Sequence, residues 1–303
     1  MDLPVEHLAT FAAIVDEGSF EGAARRLHIT PSAVSQRVKA MEQRVGSVLL
    51  QRTRPVLLTA AGTTVLRVAR QLDRIVDDAT RELGSGPSGG TVIPIVVNAD
   101  SLATWFIPAL ARAARETSAH FEVIRADETL STEQLRRGEV MAALTATREP
   151  VPGCTSTRIV TDRYRAVAAP EFAARHFPFG VTTDALRLAP IIEFDRQDAF
   201  QRRFIRRITQ TPVDPPRHYV PSSAEFALAI ELGMGWGMLP ELQCRTPLMD
   251  GRLVEIGPGS TIALPLYWQR WNLHSAVLDR LSEIVTEDAR AALGSSESKG
   301  ARA

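Results

Sequence analysis

The sequence holds only two cysteines, Cys154 and Cys244, among its 303 residues. They give no metal-ligand spacing, and two cysteines in a reducing compartment are more often buried thiols than a disulfide. The six histidines are scattered, and there is no Gly-x-Ser-x-Gly elbow, helical metal-binding histidine pair or Gly-Lys-Ser/Thr phosphate loop. The sequence therefore predicts neither an enzyme nor a metal or cofactor site.

Long apolar runs are also lacking. Runs such as residues 92–97 fall far short of the ~18 to 20 residues that cross a bilayer. The acidic N-terminus, with Asp2 and Glu6, does not provide the basic region of a signal peptide. We therefore expect a cytoplasmic protein with no membrane partner, folded into two or three domains at the usual domain size.

The chain has no net charge, because 35 basic residues balance 35 acidic residues. This balance at first argues against a polyanionic partner such as nucleic acid. The distribution is uneven, however. Residues 1–17 hold four acidic residues and no lysine or arginine, whereas residues 18–54 hold seven bases against two acids, a net charge of +5. The basic segment coincides with a run of short helical patterns.

Capping residues and apolar spacing predict three helices in this N-terminal region. The first ends at Gly18, and the second covers about residues 20–27. Thr30 suits the cap of the third helix and Pro31 its first turn, and this helix ends before Gly46. Two short helices joined by a tight turn are typical of a helix-turn-helix, whose second helix enters the major groove of DNA.

The third helix buries an apolar stripe and leaves a polar face. Gln and Arg pair with base edges, while Ser and Thr bind phosphates. Residues 48–50 and 55–58 predict two strands around a basic turn, a wing whose arginines could reach the minor groove. Each polar residue alone also fits the solvated face of a helical bundle, but together they favour DNA. The candidate DNA contacts are Thr30, Pro31, Ser32, Ser35, Gln36, Arg37, Lys39, Arg52, Arg54 and Thr59.

A long helix follows, with Thr59 as its cap. Its apolar residues recur at alternating spacings of four and three, which is a heptad seam. The seam consists of Val65, Ala69, Leu72, Val76, Ala79 and Leu83. A helix with a seam of under three heptads is too short to be stable alone, so we expect this helix to pair with a second copy of itself. The alternative is a single helix that lies on a domain.

Five segments in this region resemble the LysR-type transcriptional regulators. They are residues 11–20 (FAAIVDEGSF), 23–27 (AARRL), 30–36 (TPSAVSQ), 49–52 (LLQR) and 58–62 (LTAAG). The resemblance implies a winged helix-turn-helix, a linker helix that dimerises, and an effector domain of two α/β subdomains like those of periplasmic binding proteins. It also implies a DNA operator, a small effector in the cleft between the subdomains, a homodimer or tetramer, and RNA polymerase as a partner.

The expected fold is thus α/β and multi-domain. Strand-like runs alternate with helical stretches after residue 92, the rhythm of a parallel sheet, and residues 84–90 (GSGPSGG) have a linker composition. The expected bounds are a DNA-binding domain at 1–58, a linker helix at 59–84, a flexible hinge at 85–91, an effector domain at 92–293 and a disordered tail at 294–303. Subdomain I covers about 92–162 and 268–293, and subdomain II about 163–267.

Ligands of such sheets bind at the carboxyl ends of strands, where helix N-termini present N–H groups. A basic amino acid needs donors for its carboxylate and acceptors for its ammonium groups, because an unpaired buried charge is costly. Taken singly, each acidic candidate also fits a helix cap or a solvated side chain, and Trp105 also fits plain core. The candidate effector residues are Asp100, Ser101, Thr104, Trp105, Asp127, Glu128, Asp195, Asp198, Ser223 and Glu225.

Three later segments resemble the branch of this family that controls the export of lysine and arginine. They are residues 98–105, 137–140 (RGEV) and 152–154 (PGC). The resemblance implies that lysine or arginine is the effector and that the protein controls, by activation, an exporter gene. The alternative is the same architecture with another small effector.

Overall fold

The computed structural model describes residues 3–51, 53–83, 92–117, 119–126, 128–209, 212–257, 259 and 261–294. Helices dominate up to residue 83, and an α/β region follows from residue 92, which confirms the α/β multi-domain architecture. Four of the sequence predictions lie outside the described residues, namely Arg52, the hinge at 85–91, Asp127 and the tail beyond Gly294.

The three predicted N-terminal helices are present as α1 (Val5–Glu17), α2 (Phe20–Arg26) and α3 (Pro31–Val45). The Ser19 hydroxyl accepts a hydrogen bond from the Gly22 amide at 3.0 Å and caps α2. The Thr30 hydroxyl accepts from the Ala33 amide at 3.1 Å and caps α3. Each cap satisfies an amide that has no partner inside its helix, which fixes where the helix begins.

A small core joins these helices to the wing. Val34, Val38 and Met41 of α3 are buried against Phe11 and Ile14 of α1. The wing strands β1 (Leu50–Gln51) and β2 (Leu57–Leu58) pair antiparallel beside this core. The buried stripe of α3 therefore faces α1, and its opposite face points away from the core.

The linker helix α4 (Ala60–Glu82) starts against the wing. The Thr59 hydroxyl accepts from the Gly62 amide at 3.0 Å and donates to the Val48 carbonyl oxygen at 2.7 Å. A Cβ at Gly62 would lie 2.0 Å from the Leu49 carbonyl oxygen, so this close approach requires glycine.

The heptad seam of α4 is divided between two environments. Val65 and Ala69 are buried in the N-terminal core, whereas Val76 and Leu83 are exposed. The prediction that the whole seam pairs with a second copy is therefore wrong for its first half, which packs on its own domain. A heptad pattern identifies an apolar face but not the surface that covers it.

In the described part of the effector region, seven strands form one sheet in the order β10-β6-β11-β5-β3-β4, with β9 paired to β6. The strands are β3 (Val92–Val97), β4 (His120–Arg125), β5 (Ala142–Thr145), β6 (Cys154–Ala168), β9 (Gly237–Pro240), β10 (Val254–Glu255) and β11 (Ile262–Trp271). A separate parallel pair consists of β7 (Ile191–Glu193) and β8 (Arg217–Tyr219). The main sheet is mixed, not parallel as predicted, because β6 and β11 run antiparallel to their neighbours.

The helices of this region cover the sheets. They are α5 (Ala99–Ser101), a π-helical turn (Leu102–Phe106), α6 (Ile107–Thr117), α7 (Glu128–Arg136), α8 (Pro170–His176), α9 (Thr183–Leu188), α10 (Phe200–Ile208), α11 (Ser223–Glu231), α12 (Glu241–Met249) and α13 (Ala276–Leu293). The π-helical turn ends where α6 begins, one residue before Pro108. Among the described helices, none is long and apolar enough to cross a membrane.

Candidate DNA-binding face and ligand cavity

Four of the predicted DNA contacts share the outer face of α3. Ser32, Gln36 and Lys39 are exposed and Ser35 is half-buried. Their spacing of three and four residues places them on neighbouring turns of one helix face. Pro31 is exposed at the start of the same helix, and Arg54 is exposed in the wing. This face presents hydroxyl, amide and ammonium groups to solvent.

Arg37 does not belong to that exposed face. Its guanidinium donates to the Thr10 hydroxyl at 2.9 Å and pairs with the Glu6 carboxylate at 3.1 Å, which leaves the side chain 27% exposed. The reason is its place one turn from Val34 and Met41, at the edge of the buried stripe that meets α1. The structure therefore places Arg37 in a contact between α3 and α1. Thr59, another predicted DNA contact, caps α4.

The acidic first helix lies against the basic segment. The Arg26 guanidinium pairs with Asp16 at 3.1 Å and approaches Glu17 at 3.8 Å. Together with the pair between Arg37 and Glu6, at least two of the six cations that the structure describes in this segment face carboxylates of α1. The net charge counted from the sequence thus overstates the positive charge that this segment offers to a polyanion.

A cavity of about 260 Å³ opens at the carboxyl end of β3. Polar and aromatic side chains meet there with a few aliphatic ones. Its polar lining residues are Asn98, Asp100, Asp195, Gln197, Asp198 and Arg203, and its aromatic lining residues are Tyr164, Phe194, Phe200 and Phe226. A largely apolar cleft with a few placed polar groups is the usual form of a small-molecule site.

Asp100 connects three elements at this cavity. Its Oδ2 accepts a hydrogen bond from the Tyr164 hydroxyl at 2.7 Å, and its Oδ1 accepts from the Ser223 hydroxyl at 2.7 Å. Burial raises the pKa of Asp100, while the hydrogen bonds from Ser223 and Tyr164 oppose that rise. Two of the candidate effector residues, Asp100 and Ser223, therefore meet, although they are far apart in the chain.

Two more predicted carboxylates lie in the loop after β7. Asp198 accepts from the Phe194 amide at 2.9 Å and from the Phe200 amide at 3.0 Å, and Asp195 accepts from the Gln197 amide at 2.6 Å. Burial raises the pKa of Asp198, and the negative charge of Asp100 contributes to the rise. Both carboxylates accept hydrogen bonds from amides of the loop, and both line the cavity. Each therefore stabilises the loop and is also placed to contact a ligand.

The predicted segment after β3 divides between the cavity and the core. Asn98 lines the cavity, and among the described residues neither its buried Oδ1 nor the buried Ser101 hydroxyl has a hydrogen-bond partner. The Thr104 hydroxyl donates to the Asp100 carbonyl oxygen at 2.7 Å. Trp105 is buried edge-on against Phe106 and is not among the lining residues, because the π-helical turn directs it into the core.

Of the last two predicted acidic residues, Glu225 is not among the described residues that line the cavity. Glu225 is exposed and accepts a hydrogen bond from the Ser222 hydroxyl, which lowers the pKa of Glu225. Glu128 begins α7, and its side chain lies outside the described part of the structure. A capping role at the start of α11 describes Glu225 better than a ligand contact.

Sequence reasoning missed residues that reach the cavity from β6 and α10. The Tyr164 ring stacks on Phe200 with centroids 4.1 Å apart, and Arg203 lines the same space. Asp162 is 1% exposed on the same strand, and burial raises its pKa to about 7, with a further rise from the charge of Asp100. The alternation of buried residues along β6 is the signal that could have placed Asp162 and Tyr164 on one face.

No metal site is apparent in this part of the molecule. Across the described residues, no group of three or more His, Cys, Asp or Glu side chains is arranged to hold a metal ion. The cavity thus offers carboxylates, an arginine and aromatic rings as its recognition chemistry.

Two family profiles match this chain and together cover most of it. The family described as "Bacterial regulatory helix-turn-helix protein, lysR family" matches residues 5–63. The family described as "LysR substrate binding domain" matches residues 92–290.

Relatives match over nearly the full length. The chain is 40% identical to the "Lysine export transcriptional regulatory protein LysG" of Corynebacterium efficiens, over 95% of this chain and 98% of the relative. The crystal structure of ArgP from Mycobacterium tuberculosis superposes with a TM-score of 0.89 and 39% identity, covering 95% of this chain and 97% of ArgP. Full-length LysG from Corynebacterium glutamicum with bound effector Arg gives a TM-score of 0.86 and 36% identity, covering 96% and 99% of the two chains.

Proposed function

Because the chain belongs to the LysR family of bacterial transcriptional regulators, we propose that it senses lysine or arginine and controls, by activation, an amino-acid exporter gene. We propose a regulatory role without catalysis. The observation that carries the effector proposal is the group of three carboxylates, Asp100, Asp195 and Asp198, at one cavity. The bound arginine of the Corynebacterium glutamicum relative supports the same ligand class.

The cavity suits both ends of a basic amino acid. A lysine or arginine side chain brings a cation into a region where burial raises the pKa of Asp100 and Asp198. A cation there favours the ionised carboxylates and forms charge-assisted hydrogen bonds with them. The stacked rings of Tyr164 and Phe200 offer a surface for the aliphatic stem.

The amino-acid end has matching groups of its own. Arg203 lines the cavity and supplies a fixed positive charge for the α-carboxylate. The buried Ser101 hydroxyl, which follows β3 behind the lining residue Asp100 and has no partner among the described residues, is the second donor that we propose. The Asn98 Oδ1 atom, buried without a partner among the described residues, is an acceptor for the α-ammonium. An unpaired buried polar atom is costly, so a ligand that satisfies it gains affinity.

The proposed DNA contacts are those that the structure leaves accessible, together with Arg52. Ser32, Ser35 and Gln36 would meet bases or phosphates in the major groove, and Lys39 and Arg54 would neutralise phosphates. The exposed apolar residues Ile75 and Val76 on the second half of α4, and Leu83 directly after it, support pairing with a second copy, as a dimer or tetramer. RNA polymerase remains the proposed partner for activation.

Isothermal titration calorimetry tests this function. Full-length protein would be titrated with lysine, arginine, histidine and glutamine, with and without a DNA fragment that the protein has selected from a random-sequence pool. Lysine or arginine should bind at least about tenfold more tightly than glutamine, since an unmatched buried charge costs more than 1.4 kcal/mol. Equal affinities would contradict the basic-amino-acid proposal and favour another small effector. Failure to select any DNA sequence would contradict the regulatory proposal.

A further inference from the structure

Two turns lie against the linker helix α4 and far from the cavity, at residues 137–139 and 152–154. Both belong to segments that resemble the branch of the family that controls the export of lysine and arginine. Gly138 has a φ of +69°, and a Cβ there would lie 3.1 Å from Arg67 Cα and 3.5 Å from Arg67 Cβ. Glycine therefore serves two purposes at this position, a left-handed backbone and close contact with α4. The first turn packs directly on the backbone of the linker helix.

The second turn encloses the same arginine. A Cβ at Gly153 would lie 3.5 Å from Arg67 Nε and 3.7 Å from Gln71 Nε2. Arg67 is only 8% exposed, although it lies on a helix that leaves its own domain. The enclosure of a long charged side chain by two separate turns indicates a built contact, because ordering such a side chain costs conformational entropy.

A third contact connects the DNA-binding domain with the effector domain through one side chain. The Arg70 guanidinium donates to the Arg137 carbonyl oxygen at 3.2 Å through one nitrogen. Its other nitrogen pairs with the Asp16 carboxylate of α1 at 3.0 Å. Arg70 of α4 therefore touches both α1 and the first turn.

Continuous strands lead from this contact to the ligand cavity. Val92 and Pro94 of β3 line a crevice shared with Arg70, while Asn98 and Asp100 follow the other end of β3 at the cavity. Strand β6 begins at Cys154 beside the second turn and reaches the cavity at Tyr164. A strand rises ~3.3 Å per residue, so β6 spans on the order of 30 Å between the two places within one hydrogen-bonded sheet.

We propose that residues 137–139 and 152–154 form a docking surface for the linker helix of the same chain, through which the effector domain fixes the orientation of the DNA-binding domain. The contact couples operator affinity to the arrangement of the effector sheet. That a bound amino acid acts on DNA affinity through this contact rests on the function proposed above. The contact itself, and its effect on DNA affinity without an amino acid, do not depend on that function. A fixed orientation favours DNA binding because fewer degrees of freedom are lost on binding.

Two glycine variants separate this contact from ordinary backbone strain. Gly138→Ala and Gly251→Ala both place alanine at a left-handed position, but Gly251, with a φ of +72°, has nothing within 4 Å of its added Cβ. Affinity for the DNA fragment selected by the wild-type protein would be measured without effector. Gly138→Ala should weaken it about fivefold or more, the low end of coupling between distant sites. Gly251→Ala should stay within about twofold of wild type.

A third variant, Arg67→Ala, keeps the test decisive if Gly138→Ala does not fold. Alanine favours helices, and the substitution removes the side chain that both turns enclose. It should also weaken DNA binding about fivefold while lysine and arginine affinities stay within about twofold of wild type. Wild-type DNA affinity in Arg67→Ala, together with equal behaviour of the two glycine variants, would overturn the docking surface. If the wild type bound neither amino acid, the proposed effector would fail while this comparison still stood.

Discussion

The DNA-binding face and the ligand cavity assemble their residues in opposite ways. Ser32, Ser35, Gln36 and Lys39 come from one helix and fall within eight consecutive positions. The cavity takes residues from Asn98 at one strand end to Leu264 on β11, brought together by the sheet. A local face follows from helical periodicity, whereas a cavity follows from topology and needs the tertiary structure.

The two regions also differ in solvation. The groups on the outer face of α3 are largely exposed, so they act on a partner through screened charge and hydrogen bonds to bases. The carboxylates of the cavity are desolvated, and the pKa values of Asp100 and Asp198 are raised by burial. Salt should therefore act mainly on DNA binding, and pH mainly on ligand binding and on the stability of the effector domain.

The largest expected effect is at Asp100, where a substitution would break ligand recognition without touching the DNA face. Asp100→Asn keeps the shape but removes the charge that a bound cation would meet. We expect lysine or arginine affinity to fall by about 3 kcal/mol, on the order of a hundredfold. Calorimetry measures this loss, and operator affinity without amino acid should stay within about twofold.

Glu225→Gln is the matched control for Asp100→Asn. Both substitutions exchange a carboxylate for an amide in the effector domain, but Glu225 is exposed and outside the cavity lining. It should leave amino-acid affinity unchanged. A similar loss in both variants would mean that the general negative charge of the domain attracts the ligand, not the Asp100 contact.

A smaller effect is expected at Asp162, on the free energy of unfolding. It tests whether buried carboxylates make the stability of the effector domain depend on pH. The pKa of Asp162 rises from 3.8 to about 7 through burial. Between pH 4 and 7 the folded state holds a proton that the unfolded chain has released, so stability falls as pH rises through this window and is level above it. Asp162→Asn should remove that fall and raise the free energy of unfolding at pH 8 by on the order of 2 kcal/mol.

Urea unfolding at pH 5 and pH 8 measures the Asp162 effect. Asp184→Asn is the control, because the Asp184 side chain is 86% exposed at a surface pair with Arg187. It should leave the pH dependence as in the wild type. If Asp162→Asn kept the wild-type difference between the two pH values, another group would be responsible for it.

Residues with local signals could be predicted from the sequence. Thr30-Pro31 and Gly46 mark the bounds of α3, and the apolar run of β3 gave Val92–Val97 as the structure has it. The same rules predict a strand only over about residues 164–168 and miss the first ten residues of β6, where no continuous apolar run marks a strand. They also missed α12, which contains Pro247 near its end.

The sequence says less about a site residue when the partners of its side chain lie far away in the chain. In the sequence Trp105 fits both a ligand contact and plain core, and the structure buries it in the core beside Phe106. Arg37 looked like a DNA contact, but α1 supplies Glu6 and Thr10 as its partners. Tyr164 carried no motif, yet it bonds to Asp100 across the sheet. For Arg37 and for Tyr164 the deciding partner is remote in sequence.

The smallest expected effects lie on the DNA face, and they test whether that face itself divides into base-reading and phosphate-binding parts. Gln36→Ala should reduce the preference for the selected sequence over random DNA by about 1 to 2 kcal/mol, because an amide can pair bidentately with adenine. Arg54→Ala should weaken binding to both DNAs equally and reduce the slope of log affinity against log salt by about one, because one phosphate contact is lost. Competition binding across a salt series measures both quantities on the same samples. An equal loss on selected and random DNA for Gln36→Ala would refute its role in reading bases, and since Gln36 is exposed and uncharged, such a result would move sequence recognition to the other residues of α3 or to the shape of the DNA.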